Sequence, residues 1–136
     1  MPRRRNQKRQ TSHQFIMLTH HMLESYAYRS LSTHACRLLT EIQYRFNGSN
    51  NGDIPLSCRE AAEALHCGTT TAGKAFEELT KKGFIKCTVD SSFNYKTKRA
   101  RRFALTFQDL WNSRPTHEWK KITVHSETVT GPDSVL

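Results

Sequence analysis

The most informative part of the sequence is residues 57–83, which read SCREAAEALHCGTTTAGKAFEELTKKG. Ser57 and Glu60 have the spacing of a capping box, in which each side chain accepts a hydrogen bond from a backbone N–H at the start of a helix. The pattern predicts a helix over residues 58–65. The inward positions of this helix are apolar and are Ala61, Ala62 and Leu65.

A second helix follows after a short break. His66-Cys67-Gly68 interrupts the helical pattern, and the new helix begins at Gly68 or Thr69, runs to Lys82 and stops at Gly83. Its apolar positions recur at the spacing of one helical face and are Ala72, Ala75, Phe76 and Leu79. Two helices joined by a turn of three or four residues are typical of a helix-turn-helix.

Upstream of this pair, the sequence predicts two further helices. A short one is expected over roughly residues 19–28, and Ser32 is a candidate N-cap for a longer one that stops at Asn47-Gly48. Residues 47–53 have the composition of a turn, and residues 54–56 are too few for more than an edge strand. The apolar residues of the two helices are Met22, Leu23 and Tyr26, then Ala35, Leu38, Leu39, Ile42 and Phe46.

Downstream of the pair, two segments alternate between apolar and polar residues. Residues 84–89 (FIKCTV) and 98–107 (KRARRFALTF) are predicted to be strands, joined by turn residues at 90–96. Strand alternation places Arg99 and Arg101 on one face and Lys98 and Arg102 on the other. The two strands form a predicted β-hairpin.

Three helices followed by a hairpin are the plan of a winged helix. The predicted fold class is therefore mainly α with a small β-hairpin, a winged helix-turn-helix with a three-helix core and a two- or three-stranded wing. We expect the folded domain to span residues 15–111. A disordered basic arm is expected at 1–14, and a partly disordered C-terminal extension at 112–136.

The chain has 136 residues and a formal net charge of +9. Its basic excess lies in two short segments without any acidic residue, 1–14 and 96–102. An excess of this kind suits a polyanionic partner, most simply nucleic acid or an anionic membrane surface. The bases are Arg3, Arg4, Arg5, Lys8 and Arg9 in the first segment, and Lys96, Lys98, Arg99, Arg101 and Arg102 in the second.

Several classes of protein are disfavoured. No stretch approaches the about 18 consecutive apolar residues of a membrane span, and residues 15–18 are too few for a signal-peptide core, so no membrane partner is expected. The four cysteines (Cys36, Cys58, Cys67 and Cys87) lack paired short spacings, which predicts buried free thiols in a reduced, cytoplasmic setting. No metal or other cofactor is expected, and without a phosphate loop or catalytic motif the chain is predicted not to be an enzyme.

Three stretches resemble the winged helix-turn-helix proteins of bacterial mobile elements, which occur in phage and plasmid replication modules and among regulators. They read SLSTHACRLLTEIQYRFNGSNNGDIPLS, REAAEALHCGTTTAGKAFEELTKKGFI and RARRFALTF, and the resemblance covers about residues 31–107. His66 departs from the pattern where a turn glycine is common, and Gly68 departs where Ser or Thr usually caps the recognition helix. The resemblance implies binding to double-stranded DNA in the bacterial nucleoid, with the second helix of the pair as recognition helix.

A recognition helix places its outward, N-terminal side chains in the major groove. The expected contacts from this helix are Thr69, Thr70, Thr71, Gly73 and Lys74, whereas Glu77 and Glu78 are poor groove residues. The wing is expected to contribute Tyr95, Lys96, Lys98, Arg99, Arg101 and Arg102, and the arm Arg3, Arg4, Arg5, Lys8 and Arg9. The plain alternative is that these are solvated surface residues.

The leading hypothesis is a sequence-specific DNA-binding protein that acts as a small bacterial transcriptional regulator of a mobile element. A homodimer would bind two half-sites about one helical turn apart. One alternative is a replication-initiation protein of a phage or plasmid, with an exposed region at Trp111–Trp119 for a protein partner. Another is an RNA-binding or protein-interaction winged helix, in which Phe93 and Tyr95 stack on single-stranded bases.

Overall fold

A computed structural model describes residues 14–90 and 101–124 of the chain. These residues form a mixed α/β structure of five α-helices and a three-stranded antiparallel sheet. The helices are α1 (His20–Leu23), α2 (Tyr26–Arg29), α3 (Thr33–Arg45), α4 (Cys58–Leu65) and α5 (Thr69–Lys81). The strands are β1 (Ile54–Pro55), β2 (Ile85–Val89) and β3 (Arg102–Leu105), and a 3₁₀ turn follows at Glu118–Lys121.

The α4–α5 pair agrees with the prediction from its end signals. Ser57 Oγ accepts a hydrogen bond from Glu60 N at 3.1 Å, and Glu60 Oε1 accepts one from Ser57 N at 3.2 Å, so the capping box is present. His66 ends α4 in the left-handed conformation, with φ 55° and ψ 49°. Gly68 is the N-cap of α5, and Gly83 has the positive φ of 81° expected at the stop.

The prediction of a single helix over residues 19–28 is wrong. The chain forms two short helices there, and Ser25 is the N-cap of the second in an extended conformation. Ser25 Oγ donates a hydrogen bond to Met22 O at 2.6 Å and accepts one from Tyr28 N at 3.2 Å. These local bonds give the backbone an alternative to a continuous helix, which is why a serine at this point divides it.

The sheet has the strand order β1-β3-β2, so β3 is central and β1 is the edge strand expected from its length. Ile54 pairs with Phe103 across β1 and β3, and Ile85 pairs with Leu105 across β2 and β3. The regular alternation predicted for β2 is interrupted by an irregularity between Cys87 and Val89. The prediction of buried thiols is also wrong: Cys87 is exposed, and the other three cysteines are half-buried.

The core lies between the helices and one face of the sheet. Helices α3, α4 and α5 pack on one another through the apolar faces predicted for them. Phe76 of α5 stacks on Phe103 of β3, with ring centroids 4.9 Å apart and planes inclined by 14°. The same sheet face carries Leu105, and the opposite face carries Lys86 and Ala104. This layout is compatible with a winged-helix arrangement.

The segment after β3 also packs on this core. Trp119 is only 3% exposed and lies parallel to Phe84, with ring centroids 6.3 Å apart. The expectation of an exposed region at Trp111–Trp119 is therefore wrong at Trp119 and right at Trp111, which is 74% exposed. Well-packed chain consequently continues past the boundary expected at residue 111.

Asn51 attaches this segment to the loop before β1. Its side chain is buried, and Oδ1 accepts a hydrogen bond from Leu105 N at 2.7 Å. Nδ2 donates to Leu105 O at 3.0 Å, to Asp109 O at 2.9 Å and to Gln108 O at 3.4 Å. One side chain thus satisfies backbone groups across the whole turn that follows β3.

Replacement of Asn51 by alanine is expected to destabilise the protein by about 2–3 kcal/mol. The substitution leaves the buried Leu105 N–H without its acceptor and removes the donor to the carbonyl groups of Leu105, Gln108 and Asp109. A buried polar group without a partner costs about 1–3 kcal/mol. The free energy of unfolding in urea, followed by circular dichroism, measures the loss. Asn112→Ala, at an exposed asparagine, is the control and is expected to change stability by less than about 0.5 kcal/mol; equal losses for both variants would contradict the argument.

Candidate nucleic-acid interface

The outward face of α5 is the first part of the predicted site. Thr69, Thr70 and Lys74 are exposed, and Thr71 and Gly73 are half-buried. A Cβ placed on Gly73 would meet no atom within 4 Å, so the helix surface is open at that point. All five residues proposed for the recognition helix lie in the first two turns of α5, and three of them are exposed.

The start of α5 is the second part of the candidate site. Gly68 is its N-cap and supplies no side-chain hydrogen bond to the first turn. The N–H groups of the first turn of a helix have no partner within the helix, and the helix dipole favours negative charge beside them. This end of α5 is suited to contact a phosphate group together with nearby side chains.

Two such side chains come from α4 and its end, and neither is among the site residues predicted from the sequence. Arg59 and His66 line a shallow surface depression together with Gly68 and Thr69. Arg59 lies on α4, whereas His66 follows the last residue of α4 in the left-handed conformation, so helical spacing does not relate the two and no signal in the sequence identifies them as neighbours. Glu63 also lines the depression, so the depression carries an acidic side chain as well as the basic Arg59.

The two adjacent glutamates of α5 have different environments. Glu78 accepts hydrogen bonds from Ser32 N at 2.6 Å and from Ser32 Oγ at 2.7 Å. Since Ser32 is also the N-cap of α3, these bonds tie the later turns of α5 to the start of α3. Glu77 is exposed and makes no hydrogen bond or ion pair with the residues that the structure describes.

Arg101 and Arg102 are the wing bases that fall within the described residues, and both contact the protein itself. The Arg101 guanidinium carbon lies 4.9 Å from the ring centroid of Phe76, and Nη2 donates to Cys58 Sγ at 3.1 Å. Arg102 Nη1 forms an ion pair with Asp53 Oδ1 at 2.8 Å. The two arginines lie on opposite faces of the sheet, as the alternation predicted.

The other predicted wing and arm residues lie outside the described part of the chain. They are Tyr95, Lys96, Lys98 and Arg99 in the wing, and Arg3, Arg4, Arg5, Lys8 and Arg9 in the arm. Within the described part, Arg101 and Arg102 act first as attachments between the wing, α4, α5 and the loop before β1. Their charges are partly engaged by these contacts.

The environment of the wing root also affects the Cys87 thiol on β2. Partial burial raises its pKa above the ordinary value, the nearby Asp90 raises it further, and Arg101 opposes both effects. A raised pKa keeps the thiol protonated and a poor nucleophile at neutral pH.

Among residues 14–90 and 101–124, no three His, Cys, Asp or Glu side chains are placed to hold a metal ion.

Comparison of the chain with protein-family models, with curated proteins and with solved structures gives no match in any of the three. In the part of the chain that the structure describes, none of the helices has the length and apolar character needed to cross a membrane. Function is therefore inferred from the geometry and charge of the residues described above.

Glu78→Ala is expected to lower stability by about 1–2 kcal/mol, because it removes two hydrogen bonds to a carboxylate and leaves the Ser32 N–H without its acceptor. Thermal and urea unfolding measure this loss. The neighbouring substitution Glu77→Ala is the matched control and is expected to change stability by less than about 0.5 kcal/mol. If the two variants were equally stable, the attachment of α5 to α3 through Glu78 would be unimportant.

Proposed function

We propose that this chain is a winged helix-turn-helix protein that binds double-stranded DNA in a sequence-specific manner. The observation that carries the proposal is the exposed first half of α5, where Thr69, Thr70 and Lys74 are held outward by a buried opposite face. A helix fixed in this way can enter the major groove with its N-terminal residues against the base edges.

The chemistry of this surface supports a nucleic-acid ligand. Threonine hydroxyls can bond to base edges or phosphates, threonine methyl groups can contact the thymine methyl, and Lys74 can donate to guanine. No acidic residue lies on α5 before Glu77, so the first two turns present only neutral and positive groups. Contact is proposed to end where Glu77 begins to repel the phosphate backbone.

Phosphate contacts are proposed to orient the helix. The open start of α5, Arg59 and His66 border the same surface, and their donors suit one DNA strand beside the groove. The basic wing and the basic arm are proposed to add contacts on either side. The Arg101 contacts with Phe76 and Cys58 support this arrangement, since they hold the wing root against α5.

Transcriptional regulation by site occupancy, without catalysis, is our proposed role for this binding. The resemblance to regulators of bacterial mobile elements supports this choice. Replication initiation is the alternative within the same fold, and the two differ in the arrangement of their sites. Inverted repeats are expected for a dimeric regulator, and tandem direct repeats for an initiator.

The test is selection from a random duplex library at near-physiological salt, with single-stranded RNA as competitor, followed by measurement of affinity for the selected duplex. Lys74→Ala is expected to weaken binding by about tenfold, the loss of one good base or phosphate contact. A smaller slope of log affinity against log salt, by about 1, would identify the contact as a phosphate.

Lys81→Ala is the control, because Lys81 is also exposed on α5 but lies at its far end. Its affinity for the selected duplex is expected to equal that of the unchanged protein. Equal effects of the two lysines would mean that α5 contributes only general positive charge. Retention of the RNA with no enriched duplex would contradict the proposed function.

A further inference from the structure

The Trp111 side chain is exposed in a conformation that is costly for it. Its indole is 74% accessible to solvent, and its backbone φ is 53°, in the left-handed region that a bulky residue rarely adopts. Residues held in this way persist only where the surrounding structure imposes the conformation, and they concentrate at functional sites. The strain is not compensated by burial of the indole.

The loop that carries Trp111 is held firmly at both sides. Leu110 and Ser113 exchange two backbone hydrogen bonds of 3.0 and 2.8 Å, which close a tight turn with Trp111 at its tip. The Asn51 side chain holds the residues before the turn, and His117 N donates to Thr106 O at 2.9 Å after it. The exposure of Trp111 is therefore a property of an ordered loop.

Gly52 allows this loop to approach the sheet. A Cβ at that position would lie 2.5 Å from Leu110 Cδ1 and 3.3 Å from Trp111 Cζ2, so a larger residue would require these two side chains to shift. The φ of Gly52 is also 87°, which disfavours any side chain. The edge of the indole rests on Gly52, and the rest of the ring faces solvent.

A cleft of about 180 Å³ lies between this loop and the outer face of the sheet, and Trp111 forms one of its walls. Ala104 is at the sheet face, and Leu110 and Arg114 lie on the loop side. The volume is below the range of about 300–1,000 Å³ that is usual for small-molecule pockets. It suits a single apolar side chain of a larger ligand.

Three charged side chains line the cleft, and the one that has no oppositely charged partner among them is the arginine. Lys86 Nζ lies 3.7 Å from Glu118 Oε2, so these two charges offset each other. Arg114 is exposed and forms no ion pair or side-chain hydrogen bond with the residues of 14–90 and 101–124. A ligand that places a carboxylate next to its apolar side chain would be complementary to this arrangement.

The cleft and the outward face of α5 lie on opposite sides of the sheet. Phe103 points from β3 toward α5, whereas Ala104 and Lys86 point away from α5. A duplex bound to the outward face of α5 would leave Trp111 accessible. Exposed tryptophan and arginine side chains at a preformed cleft are the residue types that dominate the binding energy of protein interfaces.

We propose that this cleft, which Trp111 and Arg114 flank, is a docking site for an acidic segment of a partner protein. One apolar side chain of the segment occupies the cleft against the indole, and a neighbouring carboxylate pairs with Arg114. The site is separate from the surface proposed to bind DNA, so its test does not depend on that proposal.

The test uses the full chain, immobilised, and a display library of random peptides. Selected peptides are expected to contain an apolar residue beside Asp or Glu. Fluorescence polarisation of the strongest synthetic peptide then measures affinity for variants of the full chain. Trp111→Ala and Arg114→Glu are each expected to weaken binding by at least about tenfold, and circular dichroism of each variant checks that it is folded.

Matched controls separate the cleft from general attraction between an acidic peptide and a basic protein. Tyr44 is also 74% exposed, and Lys121 is exposed outside the cleft, so Tyr44→Ala and Lys121→Glu are expected to leave affinity unchanged. Lys74→Ala is likewise expected to have no effect. Three results would overturn the proposal. Trp111→Ala could bind the peptide as tightly as the unchanged protein, or the selected peptides could lack acidic residues. The third is that the chain binds single-stranded DNA and loses that binding in Trp111→Ala.

Discussion

The stack of Phe76 on Phe103 joins the two parts of this molecule on which its proposed function depends. Phe76 is in the middle of α5, and Phe103 is in the central strand of the sheet. Arg101 lies over both rings and reaches Cys58 at the start of α4. Helix, strand and neighbouring helix are thus fixed to one another at a single point, and the angle between α5 and the wing root is set there.

This contact also determines what each face of the sheet can do. Because the Phe103 and Leu105 side chains are buried in the core, the side chains at the alternate positions of the strands face the other side of the sheet. One of these is Ala104, which is small enough for a loop to pack over it. Asn51 holds that loop in place. The chain can therefore present a helix on one side and a rigid loop with an exposed tryptophan on the other.

Features set by short-range interactions could be predicted from the sequence. The capping box at Ser57 and the stop at Gly83 gave the bounds of α4 and α5 to within a residue, because each signal acts within one turn of helix. The break at Ser25 is equally local but was missed, since the apolar spacing around it is helical. The burial of Trp119 could not be predicted, because its partner Phe84 is distant in sequence.

Charge is the property that the sequence described least well. Two of the five bases counted in the wing, Arg101 and Arg102, are engaged with aromatic rings, a thiol and an aspartate. Conversely, Arg59 lies in a segment of balanced charge but borders the start of α5. A run of bases records only where charge lies along the chain, whereas recognition depends on which charges remain accessible and near one another. For this protein, the accessible surface beside α5 is therefore a better guide to function than the net charge of +9.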